Sequence, residues 1–472
     1  ALDVSSNTAL THLDPSNNQL TSLDVSSNTA LTFLECSGNQ LTSLDVSSNT
    51  ALEVLSLDDN QLTSLDVTNN SALIDVVISH NQMTSFNVTS NTALTKLTSY
   101  GNQLTSLDVS NNTALTELYV DGAELTTTGL DVSNNTALTS LSIGLSQLTS
   151  LDLSNNTSLT SLICHLNGLT SLDLSANTAI TSISCRNNNL TELVLGNNTA
   201  LTQLWCYGNQ LTSLDVSANT ALTSLKCDNN QLTSLDVSQN IELTTLWVGF
   251  NSLDSLNVSA NTALIDLRVP GNQLISMDVS TNIALEHLDF WVNQLTTLDV
   301  SANTALTTLK VSSNDIIALD VSANTVLTKL YCENNQLTAL DVSTNTALTN
   351  LTCFDNPDLY CIQVTDVAQA EQSWGTDLSD WMDFSTDCAT IAGCMDSTSC
   401  NYNPGAMVDD GSCLYLDCAG NCGGTFAVNQ CEVCVDTIPN PIQLSSSPPI
   451  TSNYTLLADG SLESPIVWPF PD

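Results

Sequence analysis

Positive charge is nearly absent from this chain. Its 472 residues carry six Lys and Arg against 49 Asp and Glu, a net charge of −43. Such a surface cannot neutralise phosphates, which argues against nucleic acid and anionic membrane as partners and favours cations and solubility. Long apolar runs are missing as well. No stretch of about 18 apolar residues occurs, so no membrane insertion is expected. Residues 1–20 hold neither a basic n-region nor an apolar h-region. The chain opens inside a repeat at Ala1-Leu2-Asp3-Val4, and we read a signal peptide, with or without earlier repeats, as lying outside this numbering. His12, His80, His165 and His287 are scattered and make no helical metal-binding pair. No Ser-His-Asp order, phosphate loop or nucleotide fingerprint stands out, so the expectation is that this is not an enzyme.

What the chain has instead is repetition. The phrase Leu-Thr-Ser-Leu-Asp-Val-Ser-x-Asn-Thr-Ala-Leu-Thr-x-Leu-x-Cys-x-x-Asn-Gln recurs every 21 residues, with one interval of 23 where Thr127-Thr128-Gly129 lengthens the turn before Leu130. The Leu-Asp-Val element occurs 17 times from Leu2 to Leu340. Each copy holds two half-repeats of the form Leu-x-Leu-x-x-Asn, such as Leu23 to Asn28 and Leu225 to Asn230. Alternation over Leu-x-Leu turns two apolar side chains inward and one residue outward. A coil this short has no room for a return helix. Both halves are therefore predicted to be extended, stacking into two parallel ladders at about 4.8 Å per coil, a slab on the order of 80 Å long. One asparagine column, Asn7 to Asn345, is present in all 17 copies; a second, Asn18 to Asn356, is broken at Ala123 and Ser146. A buried amide can bond the backbone of its own coil and of the next, which turns without strand partners require.

This pattern resembles bacterial leucine-rich repeats, specifically the 21-residue IRREKO subclass, in which both halves carry Leu-x-x-Leu-x-Leu-x-x-Asn. The resemblance covers residues 1–364 and implies an all-β-like solenoid with almost no helix that binds ligands or surfaces. It departs at the start, where no N-terminal cap is visible.

The two halves follow different rules. In the Leu-Asp-Val half the outward residue is Asp in 14 of 17 copies, the exceptions being Asn87, Val194 and Asn257. In the other half the outward positions vary and include Tyr119, Trp205, Tyr207, Lys226, Trp247, Arg268, Asp289, Lys310 and Tyr331. All six basic residues, Lys96, Arg186, Lys226, Arg268, Lys310 and Lys329, fall there. The uniform half reads as framework and the variable half as a reading surface. Aromatics beside cations suit protein hot spots and carbohydrate stacking. Drift on a solvent face, with aromatics kept because they favour strands, is the alternative. The candidate ligand-binding patch is Trp205, Tyr207, Lys226, Trp247, Phe250 and Arg268. The aspartate row repels itself by roughly 0.8 kcal/mol per pair in water and needs counter-ions. Those are either a diffuse cloud or ordered Ca²⁺; no cofactor is required. Cys164, Cys185, Cys206 and Cys227 share a column that elsewhere holds Leu57, Ile78, Val120 and Phe290, so they read as core residues rather than metal ligands.

Nine of the 16 cysteines crowd into residues 361–434, the density of a disulfide-built segment in an oxidising compartment. Residues 365–388, with a short helix predicted after Asp366, resemble the C-terminal cap of secreted bacterial leucine-rich repeats. That resemblance implies a Cys361–Cys388 bridge; pairing of either cysteine with the next module is the alternative. Residues 389–436 resemble cysteine-rich modules of large secreted or surface bacterial proteins. Disulfides suit them better than zinc, although seven cysteines leave one odd. Asp396, Asn403, Asp409 and Asp410 are candidate Ca²⁺ ligands without an EF-hand pattern. Residues 437–472 form a Pro/Ser-rich tail or the start of a further domain. The functional expectation is a bacterial extracellular or cell-surface adhesion or ligand-recognition solenoid that binds protein or glycan through its variable face. The alternative is self-association into an extracellular filament. There, residues 437–472 would add a strand to a neighbour's first coil, where Leu2, Val4 and Leu10 would otherwise face water.

Overall fold

The computed structural model describes residues 2–125, 129–374 and 382–388, and beyond them 392–402, 406, 408–409, 411–417, 421–423, 426–428 and 434–436. The chain divides into two units, residues 1–389 and 390–472.

The first unit is a parallel solenoid. Each coil contributes one strand to a 17-stranded sheet that runs from His12–Leu13 to Asn350–Thr352. Neighbouring strands pair in parallel at the repeat spacing, as in Leu204↔Leu225, Leu225↔Leu246 and Leu246↔Leu267. The central Leu of each strand points inward, and Leu204, Leu225, Leu246 and Leu267 are fully buried. A parallel ladder in strict register stacks identical positions, so every inward column becomes a continuous row of one contiguous core. The repeat cysteines lie in such a row: Cys164, Cys185, Cys206 and Cys227 are buried thiols. Burial holds their ionisation well above the usual thiol range.

The second ladder, in the Leu-Asp-Val half, is hydrogen-bonded in pieces. Ser171–Asp173 pairs with Glu192–Val194, and Leu340–Asp341 pairs with Cys361–Gln363. Both pairings set a neutral residue, Val194 or Gln363, against an aspartate. Asn87 and Asn257 stand in the same column without restoring the pairing, so charge is not the whole cause.

The two asparagine columns do different work. In the Asn18-to-Asn356 column both amide atoms are used. Asn230 Nδ2 donates to the carbonyls of Cys206 and Cys227 at 3.1 Å, and Asn230 Oδ1 accepts the Leu211 N–H at 3.0 Å. At one break in that column Ser146 substitutes with a shorter reach, its hydroxyl donating to Gly144 and Val120. In the Asn7-to-Asn345 column the side chain only donates. Asn240 Nδ2 bonds the carbonyls of Val216 and Asn219, whereas the Oδ1 atoms from Asn28 to Asn345 are buried without a partner.

The residue before each second-column position has left-handed backbone. Asn187, Gly208, Asn229, Phe250, Gly271 and Val292 all have φ between 51° and 68°. Asn and Gly tolerate this region, but it strains a β-branched residue such as Val292. A Cβ on Gly208 would also strike the Asn187 side chain. The 23-residue interval leaves the core undisturbed: Leu125 and Leu130 remain buried, and Tyr119 still pairs with Ser142.

At the first coil Leu2 is exposed, but Val4 is only 6% exposed, contrary to expectation, because its neighbour coil places Asn28 on the Val4 carbonyl. At the other end the predicted cap is present. The helix Val367–Trp374 buries Ala370, Trp374 Nε1 donates to the Thr349 carbonyl at 3.2 Å, and Cys361 is bridged to Cys388.

In the second unit Cys394 is bridged to Cys413 and Cys400 to Cys422. Phe426–Val428 pairs antiparallel with Cys434–Asp436. Asn403, Asp410, Cys418, Cys431 and residues 437–472 lie outside the described residues, so neither the four-residue Ca²⁺ set nor the added strand is seen there. Asp396 is described, and its carboxylate accepts from Thr398 and the Tyr415 hydroxyl. No described helix is long and apolar enough to cross a membrane.

Candidate functional site

The register of the sheet turns the variable residues into a row. Trp205, Lys226, Trp247 and Arg268 occupy the third position of four consecutive strands and stand directly opposite one another. Lys226 lies between two indoles, its Nζ 5.1 Å from the Trp205 ring centre and 3.6 Å from that of Trp247. Trp247 in turn lies between two cations, with Arg268 Cζ 4.2 Å from its centre. Each such contact contributes about 0.5–2 kcal/mol, depending on desolvation. Asp266 locks the end of the row: it accepts from Trp247 Nε1 at 3.0 Å and takes a two-pronged bond from Arg268 at 2.8 and 2.9 Å.

Of the remaining patch residues, Tyr207 sits one row away, where Arg186 Nη1 donates to its hydroxyl at 2.6 Å. Phe250 stands at the sheet margin. Its ring covers Gly271, where a Cβ would come within 2.6 Å, and meets Trp291 edge-on at 5.9 Å. The six residues therefore occupy one face but form three small groups. Sequence reasoning missed Asp266 and Trp291. Asp266 sits 19 residues from Trp247, an offset set by how a coil closes and not by the 21-residue period.

Burial acts on the charges beneath the row. It pushes the Asp228 carboxyl up to about 6, partly opposed by the Gly249 N–H that it accepts at 2.9 Å. It also pulls the Lys226 ammonium below its usual value. A carboxyl raised in the folded state binds its proton more tightly there than in the unfolded chain. Its penalty is therefore absent below about pH 4 and complete above about pH 6. Asp228→Asn keeps an oxygen for Gly249 and removes the penalty. We expect it to be more stable than the parent at pH 7, by on the order of 2 kcal/mol, with the gap closing by pH 4 in denaturant titrations.

The aspartate row of the uniform half has a local task. Ser217 N–H bonds Asp215 Oδ1 at 2.9 Å, and Ser301 N–H bonds Asp299 likewise. The exceptions Asn87 and Asn257 accept the same bond from Thr89 and Ser259. Val194 cannot, and there the chain uses Gly196 at φ 58°. These carboxylates close their own turns, and the bonds from the serines hold their ionisation below the usual range. A furrow of about 620 Å³ beside Asp299, Asp320 and Asp341 reappears in smaller form beside Asp152 and Asp173, so it marks no single place on the stack. With one oxygen of each carboxylate committed to its turn, we expect the same melting midpoint in chelator and in millimolar Ca²⁺. A rise with Ca²⁺ would assign ions to the row or to Asp396 by mass action.

No family model and no curated protein matches the chain. Solved structures do. The functional domain of InlJ from Listeria monocytogenes, which includes a cysteine ladder, is 32% identical over 80% of this chain and 74% of that one, with a TM-score of 0.57. A leucine-rich-repeat protein of Leptospira interrogans is 20% identical over 81% of this chain and 97% of that one, with a TM-score of 0.61. YopM from Yersinia enterocolitica is 23% identical over 75% and 85%, with a TM-score of 0.58. The last two share the fold. The first shares sequence as well, and the buried column from Cys164 to Cys227 is the counterpart here of a cysteine ladder. A 21-residue parallel solenoid with that degree of identity to the Listeria domain belongs to the bacterial leucine-rich-repeat proteins.

Proposed function

We propose that this chain is an extracellular or cell-surface recognition protein, and that it binds a protein partner through the variable face of its sheet. The observation that carries the reading is the row Trp205, Lys226, Trp247, Arg268, clamped by Asp266. Side chains held in place before binding lose little entropy on contact, and half-buried Trp and Arg are the residues that anchor protein interfaces. A glycan would stack on open aromatic faces, but cations flank Trp247 on both sides. The disulfides support an oxidising location.

The test is a selection of displayed peptides and a glycan array, each screened with the intact chain. The triple variant Trp205→Ala, Trp247→Ala, Arg268→Ala should lose the selected peptides while its melting midpoint moves by a few degrees at most. Peptides retained by the variant, or glycans alone captured by the parent, would refute the reading.

A further inference from the structure

Next to the aromatic row the sheet carries a second feature. A depression of about 230 Å³ is lined by Arg268, His287, Asp289, Lys310, Lys329 and Tyr331. Three of the six basic residues and one of the four histidines in a chain of net charge −43 thus meet in one hollow. The parallel register assembles it. Arg268, Asp289, Lys310 and Tyr331 stand opposite one another in one row, and His287, Thr308 and Lys329 in the row beside it.

The hollow is only partly neutralised from within. Lys310 Nζ lies 3.7 Å from Asp289, and Asp289 also accepts the Trp291 N–H at 3.1 Å. Arg268 uses Nε and Nη2 on Asp266, leaving Nη1 outside that pair. Lys329 is exposed and makes no ion pair among the described residues. Three cations thus face one lining carboxylate.

Along the margin of the same coils lies an apolar rim. Phe250, Trp291 and Val292 are 45%, 42% and 40% exposed, and Phe250 meets Trp291 edge-on. Trp291 is two residues from Asp289 in sequence, so hollow and rim adjoin.

We propose that the hollow binds a carboxylate side chain of an acidic polypeptide segment whose neighbouring aromatic or aliphatic side chain rests on the rim. This deepens the protein-recognition reading above and rests on it. The size fits one acidic side chain and falls below the roughly 300 Å³ at which small-molecule sites begin. Specificity comes from both signs of interaction: the hollow attracts an acidic segment and the remaining acidic surface repels it, so the segment has one place to settle. A polyuronate would satisfy the cations but offers nothing for an apolar rim.

The experiment measures binding of the full chain to three immobilised polymers: a Glu–Tyr copolymer, poly-L-glutamate and polygalacturonate. The copolymer should bind best. Polygalacturonate should bind about tenfold more weakly, a difference of about 1.4 kcal/mol. The double variant Lys310→Gln, Lys329→Gln should weaken copolymer binding by at least tenfold at an unchanged melting midpoint. If the double variant folds poorly, Lys329→Gln alone, at an exposed site, should still weaken it severalfold. The proposal is overturned if the copolymer does not bind, if polygalacturonate binds as well, or if the lysine variants bind like the parent. The Trp205, Trp247, Arg268 variant separates the two ideas. Loss of selected peptides by that variant, alongside failure of the copolymer result, would retain protein recognition and discard the acidic segment.

Discussion

Asn230→Ala should destabilise the middle of the solenoid by about 3–5 kcal/mol. The estimate counts what the substitution strands. The Leu211 N–H loses its acceptor, and the carbonyls of Cys206 and Cys227 lose a donor, all in buried surroundings. Each buried group left without a partner costs about 1–3 kcal/mol. Asn240→Ala, in the other column, should cost clearly less. It also removes two donor bonds, but it removes with them an Oδ1 that is buried without a partner. Gln231→Ala, at an exposed position, should be nearly silent. Coils contact only their neighbours, so the damage should be local. Hydrogen exchange should show lost protection in the coils around residues 204–246, with the first coils unaffected. Equal costs at Asn230 and Asn240 would contradict the division of labour between the columns.

Removing the Cys361–Cys388 bridge by a double Ser substitution should cost about 2–5 kcal/mol. The two cysteines are 27 residues apart in sequence, and between them lie the helix Val367–Trp374 and the strand Asp383–Ser385. That strand pairs with Cys361–Gln363, and Trp374 packs against Phe384 at 6.1 Å. Together they cover the last coil, where Leu340, Val342 and Leu348 would otherwise meet water. The variant should therefore fray from this end, with exchange accelerating first in residues 340–364. An unchanged midpoint and unchanged exchange there would mean that the helix and strand hold the end without the bridge.

Much of this architecture was legible before any coordinates. A period of 21 residues states which side chains stack, because parallel pairing in register leaves no other freedom. From that alone followed the core columns, the cysteines as core residues, and the separation of a uniform half from a variable one. The Cys361–Cys388 bridge and the capping helix came from the family resemblance. The aspartate column was legible only as charge. Its task of closing turns shows in the exceptions: Asn87 and Asn257 keep the bond, and Val194 is followed by Gly196.

Other features could be decided only by the tertiary structure. The left-handed column holds Asn, Gly, Asp, His, Leu, Phe, Val and Ser, a set with no common chemistry. The coils on either side impose that backbone, so the position carries little trace in composition. The candidate site divides in the same way. That Lys226 stands between Trp205 and Trp247 follows from the period. That Asp266 clamps Trp247, that Phe250 reaches Trp291 across Gly271, and that Lys310 and Lys329 share a hollow with Arg268 do not. Those contacts run diagonally between rows, and their offsets depend on how each turn closes and which way each side chain leans. Repetition determines the columns; the geometry of the turns decides what touches across them.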